Sequence, residues 1–130
     1  MDQFRFSFAD IGTTRQWGNP NNSKLQKIQF NYQIAPLSNE IESFDVYLVD
    51  GRYRVSCACA AMLHAMSRGG DMTKVMVAIH DFFQRRAYQD FKQVTKIVHS
   101  SDRLAVFKSK PNVTEKDIYN LWKKHAMNFD

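Results

Sequence analysis

The chain has 130 residues, of which 44% are hydrophobic, 24% charged and 13% aromatic, and its formal net charge is +5. This length allows one buried core and is too short for two independent cores, so a single domain over residues 1–130 is expected. The balance of apolar and charged residues excludes an intrinsically disordered or fibrous chain.

The first half of the chain alternates between apolar and polar residues, which is typical of strands buried on one face. This pattern predicts strands over residues 4–8 and 28–34, with a polar loop between them. Two further strands are expected over residues 44–49 and 52–57. They flank Asp50-Gly51, a dipeptide that suits the two-residue turn of a β-hairpin.

From about Ala58 the apolar spacing becomes helical. The sequence predicts a helix over residues 59–67 that stops at Gly69-Gly70, and then one long helix over residues 72–100. Arg86 and Asp90 interrupt the apolar arc of the long helix, so they either form a partly buried pair or mark a break into two helices. A short strand over residues 104–108 and a final helix over residues 114–127, begun by an acidic cap, complete the prediction.

Strands followed by helices indicate an α+β fold. We expect a four- or five-stranded antiparallel sheet with the helices packed on one face, including the long helix. The apolar arc of that helix is wider than one sheet would cover, so we also expect a homo-oligomer that uses it as an interface.

Targeting signals are not evident in the sequence. The N-terminal residues lack the apolar stretch of a signal peptide, and no run approaches the roughly 18 apolar residues of a membrane span. The two cysteines, Cys57 and Cys59, are too close for an unstrained disulfide within a regular element. A cytoplasmic protein with reduced thiols, not secreted, is expected, in the host cytoplasm if the protein is viral.

Catalytic and metal-binding motifs are weak. Cys57, Cys59 and His64 lack the second ligand pair that a structural zinc site needs. His80 and Asp81 would point to different sides of the long helix and therefore form no dyad. The expectation is a protein without enzymatic activity, metal or cofactor.

The charge is unevenly distributed, because the first 50 residues carry four basic and six acidic side chains whereas the other 80 carry fourteen and seven. Basic surfaces attract nucleic acid, and aromatic side chains stack on its bases. The hypothesis is sequence-tolerant binding of RNA or single-stranded nucleic acid through a basic sheet face and a long loop. The residues expected to carry it are Arg5, Arg15, Trp17, Tyr47, Arg52 and Arg54.

A second hypothesis is a self-associating structural or regulatory module that binds a protein partner, such as a small viral or phage coat, matrix or inhibitor protein. It rests on the wide apolar arc and on the six methionines, a residue type favoured at adaptable interfaces.

Overall fold

The computed structural model describes residues 33–127, and these form a four-stranded sheet with helices. In chain order the strands are β1 (Val46–Val49), β2 (Met76–His80), β3 (Thr95–Ser100) and β4 (Leu104–Ser109). The α-helices are α1 (Arg54–Ser67) and α2 (Glu115–His125), and two 3₁₀ helices cover Phe82–Gln84 and Arg86–Gln93. Residues 33–38 are also helical.

The sheet has the order β1-β2-β4-β3 and mixes two pairing modes. β1 and β2 are parallel and are joined through α1, whereas β4 is antiparallel to both β2 and β3. A helical crossover is the usual connection between parallel neighbours. The α+β prediction and the strand count are confirmed, but the sheet is mixed and not purely antiparallel.

The predicted hairpin around Asp50-Gly51 is wrong in its second half. β1 forms as expected, but residues 50–53 turn the chain into α1, which begins at Arg54. The residues after the turn fit a helix because Val55, Ala58, Cys59 and Met62 recur with helical spacing and are all buried.

The helix predicted over residues 59–67 is confirmed within α1. It ends where Gly69 takes a left-handed backbone conformation with φ of 72°. There the N–H groups of Gly69 and Gly70 donate to the carbonyl oxygens of Met66 and Ala65, which closes the helix as a Schellman motif.

The long helix predicted over residues 72–100 is wrong. That stretch forms β2, both 3₁₀ helices and β3. Asp90, which was expected to pair with Arg86 or to mark a break, contacts Lys124 and His125 of α2 instead. The interface predicted on the long helix therefore does not exist in that form, while self-association itself stays a prediction.

One face of the sheet lies against the core, and the opposite face is exposed along β1. The covered face lies against the core and is formed by alternate residues of three adjoining strands, namely Tyr47, Val49, Val77, Ile79, Ala105 and Phe107. On the opposite face of β1, Val46 is 53% exposed and Leu48 is 69% exposed. Helices therefore cover one face of the sheet, as expected from the sequence.

Several aromatic rings pack against each other in the core beneath the covered face. The Phe107 ring centroid lies 4.7 Å from that of Phe82 and 5.0 Å from that of Phe91, both in edge-to-face orientation. Such pairs add to the stabilisation from burial alone.

The last two predicted elements, over residues 104–108 and 114–127, are confirmed as β4 and α2. α2 begins with a capping box, in which Thr114 and Asp117 satisfy each other's backbone N–H groups.

Two predictions concern the start of the chain. The strand expected over residues 4–8 lies outside the described residues, as does most of the strand expected over residues 28–34. The last two residues of the second expected strand, Gln33 and Ile34, are described and are helical. Within residues 33–127, no helix has the length and apolar character needed to cross a membrane.

Candidate active site at the carboxyl end of the parallel strands

Charged side chains gather where the two parallel strands end. Asp50 follows β1. His80 is the last residue of β2, and Asp81 follows it. Ligands of open α/β sheets bind outside the carboxyl ends of parallel strands, so this edge is the expected place for a site. We call the group the carboxyl-edge cluster; its members are Asp50, Arg54, His80, Asp81, Tyr88 and Arg103.

The imidazole of His80 lies between two carboxylates. Its Nδ1 atom is 3.4 Å from Asp50 Oδ1 and 3.4 Å from Asp81 Oδ2. Both contacts are at ion-pair distance and longer than a good hydrogen bond. Contacts of this length are common in ligand-free catalytic sites, where the geometry tightens when substrate binds.

Arg54, the first residue of α1, is held from two sides. Its Nη2 atom lies 3.5 Å from Asp50 Oδ1, and Nη1 donates to the Tyr88 hydroxyl at 3.4 Å. The guanidinium carbon also lies 5.7 Å from the centroid of the buried Tyr88 ring. An arginine fixed in this way is ready to orient an acceptor group of a ligand.

The backbone is unusual in the segments that follow both parallel strands. Tyr53, the N-cap of α1, has φ of 56°, and Asp81 has φ of 57°. This left-handed conformation is uncommon for residues other than glycine and is often retained at functional sites. At Asp81 it turns the chain so that the carboxylate lies beside both His80 and Arg103.

Several buried polar atoms of the cluster lack a hydrogen-bond partner within residues 33–127. They are Arg54 Nε, His80 Nδ1 and Asp81 Oδ1. Buried polar atoms are nearly always satisfied, so such a concentration calls for a functional explanation.

Among the described residues, the three expected to bind nucleic acid, Tyr47, Arg52 and Arg54, do not share a sheet face. Arg5, Arg15 and Trp17 lie outside the described residues. Arg52 lies in the β1–α1 turn and Arg54 in the helix, because the second hairpin strand does not form.

Tyr47 is on the covered face and not on the exposed one. It is 7% exposed, and its hydroxyl accepts from the Phe44 N–H and donates to His64 Nδ1 at 2.7 Å. The other ring nitrogen of His64, Nε2, donates to the carbonyl oxygen of Glu40 at 2.8 Å. Tyr47 and His64 therefore form a structural link between β1, α1 and the segment before β1.

The two cysteines lie in α1, where their surroundings favour the protonated thiol. Burial raises the pKa of the Cys57 thiol to about 12 and raises that of Cys59 further, with Cys57 itself adding to the second shift. A thiol that stays protonated is a poor nucleophile and a poor metal ligand. In the part of the chain that the structure describes, no three His, Cys, Asp or Glu side chains form a metal-binding group.

Sequence reasoning missed the members of the cluster other than Arg54. His80 and Asp81 were rejected as a dyad because they were placed on a helix. The available signal was a charged residue directly after each apolar stretch, Asp50 after 46–49 and Asp81 after 76–80. Once both stretches are taken as parallel strands, these residues meet at one edge.

No protein-family model and no curated protein matches the chain. Among solved structures, it is similar to a methyltransferase-like protein from Silicibacter pomeroyi, with a TM-score of 0.68 and 26% sequence identity. The match covers 95% of this chain and 60% of the other, so the chain spans less than two thirds of that protein.

This similarity corrects two expectations. A non-enzymatic role in binding nucleic acid is contradicted, because the chain is similar in structure to a methyltransferase-like protein, whereas self-association stays a prediction. The expectation that the chain is not an enzyme is contradicted by the same finding.

A methyl donor such as S-adenosylmethionine carries a nucleoside, and nucleotide-binding βα turns use several glycines to let the backbone approach the ligand. The β1–α1 turn has one glycine, Gly51, followed by the bulky Arg52 and Tyr53. This turn therefore lacks the glycine-rich form of a nucleotide-binding loop, and the donor is not assigned a place among the described residues.

Proposed function

We propose that the carboxyl-edge cluster is the substrate-binding and proton-transfer site of a methyltransferase-like enzyme. The observation that carries the proposal is the position of His80, whose Nδ1 atom lies within 3.4 Å of two carboxylates at the carboxyl end of the parallel strands. The similarity to a methyltransferase-like protein supplies the class of reaction.

A hydroxyl or amine that accepts a methyl group must lose its proton. In the proposed mechanism, the other ring nitrogen of His80, Nε2, takes that proton. Asp50 and Asp81 stabilise the imidazolium ion through Nδ1–H, as a carboxylate does for the histidine of a catalytic triad.

Arg54 orients the substrate. Its guanidinium attracts an acceptor oxygen next to the reacting group, and Tyr88 keeps it in place. The substrate class is therefore a small hydroxyl or amine compound with a nearby carboxylate, carbonyl or phenolic oxygen.

The test measures transfer of labelled methyl groups from S-adenosylmethionine to a panel of such phenols, alcohols and amines. We expect wild-type transfer to at least one acceptor and a loss of about 10²- to 10⁴-fold in kcat/KM for His80→Gln, the usual range for a general base. Asp81→Asn should also lose activity.

The matched control is Asp45→Asn. Asp45 is exposed and precedes β1, at the opposite end of the strand from Asp50. It should retain wild-type activity. An undiminished rate in His80→Gln would contradict the role of the histidine, and no transfer to any acceptor would contradict the reaction class.

A further inference from the structure

A second group of charges lies at the other end of the sheet, where β3 begins and β4 ends. Lys96, Lys108 and Lys110 line a cavity of about 480 Å³ there. This volume is within the range of small-molecule binding sites. The cavity shares no residue with the carboxyl-edge cluster.

The sheet register places two of these lysines against each other. Lys96 and Lys108 are direct cross-strand partners in the β3–β4 pair. Like charges directly opposite on adjacent strands destabilise a sheet. A pair of lysines at these positions therefore costs folding stability unless a negative charge lies between them.

Within the described chain, no carboxylate forms an ion pair with Lys96, Lys108 or Lys110. Asp71 is close enough for Lys108 to contribute to its electrostatics. Its Oδ1 atom, however, already accepts from the N–H and the hydroxyl of Thr73. Asp71 therefore offsets only part of the charge of Lys108, and three lysines around one cavity leave a net positive charge for an anionic ligand.

The rest of the cavity wall is largely apolar, with Met66, Met72, Val98 and Val113 among its residues. A hydrated inorganic ion would leave this surface unused. Thioether and aliphatic side chains favour an apolar group, and methionine adapts well to differently shaped ligands.

We propose that this cavity binds a small organic phosphate, whose phosphoryl group is neutralised by Lys96, Lys108 and Lys110. The apolar body of the ligand lies against Met66, Met72 and Val113. The site is separate from the proposed transfer site and does not depend on the assigned reaction.

The test uses isothermal titration calorimetry with three probes: phenyl phosphate, inorganic phosphate and phenol. We expect phenyl phosphate to bind at least tenfold more tightly than inorganic phosphate, and phenol not to bind at millimolar concentration. Raising the salt concentration should weaken the binding of phenyl phosphate.

Lys96→Gln and Lys108→Gln should each reduce the affinity for phenyl phosphate at least tenfold. In the absence of ligand the same substitutions should raise Tm by about 1–5 °C, because they remove a cross-strand repulsion. Lys116→Gln, an equal charge change on the exposed surface of α2, is the control and should leave the affinity unchanged.

The combination of lost affinity and increased stability distinguishes a ligand site from a structural role of the lysines. Unchanged affinity in the Lys96→Gln Lys108→Gln double variant would overturn the proposal. Equal affinities for phenyl phosphate and inorganic phosphate would overturn the assignment of an organic ligand.

Discussion

A histidine contacts an aspartate in two regions of this molecule, and the two contacts differ in burial, in distance and in backbone conformation. His125 is buried, and its Nε2 atom lies 3.0 Å from Asp90 Oδ2, which joins α2 to the second 3₁₀ helix. His80 is half-exposed and touches two carboxylates at 3.4 Å, next to a residue with a left-handed backbone.

The difference indicates what each contact is for. A hydrogen bond that links two elements through a buried histidine stabilises the fold. Longer contacts among unsatisfied polar atoms, on a strained backbone, stabilise little by themselves and are retained at sites that act on a ligand. Substitutions in the two regions should therefore separate stability from activity.

The largest effect on stability is expected for His125→Ala. The change removes a buried ring and leaves Asp90 without one of its partners, so the free energy of unfolding should fall by about 2–3 kcal/mol. His80→Ala should change it by less than about 0.5 kcal/mol. Urea denaturation of both variants measures this difference, and equal losses would remove the distinction between the two regions.

The Asp90 contact should also appear in the pH dependence of stability. Hydrogen bonds from Lys124 and His125 lower the pKa of Asp90 below its usual value of 3.8. Because the folded-state pKa is the lower one, the contribution is complete above about pH 4 and is lost as the pH falls through the folded-state value.

Urea denaturation of the wild-type protein and of Asp90→Asn between pH 2.5 and 7 measures this contribution. We expect the two free energies of unfolding to differ by about 1 kcal/mol near neutral pH. The stability difference between them should shrink in acid. A difference that stays constant down to pH 2.5 would show that the ionisation of Asp90 is irrelevant.

A third histidine contact, between His64 and Tyr47, belongs with the structural class. Tyr47→Phe removes the hydroxyl that serves both His64 Nδ1 and the Phe44 N–H. We expect a loss of about 1 kcal/mol in the free energy of unfolding and no change in the rate of methyl transfer. A loss of activity would place the Tyr47 link within the functional region.

A small change in stability is also expected at Asp81, in the carboxyl-edge cluster. Glycine adopts a φ of 57° without strain, so Asp81→Gly should leave the free energy of unfolding within about 1 kcal/mol of the wild type while reducing activity. Thermal denaturation alongside the methyl-transfer assay tests this. A large destabilisation would mean that Asp81 is a structural residue.

Elements with clear local signals were predictable from the sequence. β1, the body of α1, β4 and α2 were recognised because each has a consistent apolar period or a cap, such as Gly69-Gly70 after α1 and Thr114 before α2. The α+β class followed from their order.

The arrangement around the site was not predictable in this way. Asp50-Gly51 suits a hairpin turn, and only the parallel pairing of β1 with β2, a contact distant in sequence, shows that the chain enters a helix there. For 76–80 a helical interpretation of a short apolar run competed with a strand, and periodicity alone does not separate the two. Because the sequence pattern placed these residues on a helix, it did not indicate that His80 and Asp81 belong to one site.

The open face of β1 has a consequence for the protein in concentrated solution. Val46 and Leu48 lie side by side on the outermost described strand, where apolar side chains favour contact with other strands. Resistance to aggregation should therefore be limited by this strand and not by the free energy of unfolding. Leu48→Lys would place a charge on this strand without altering the core. It should raise the concentration at which the protein begins to aggregate.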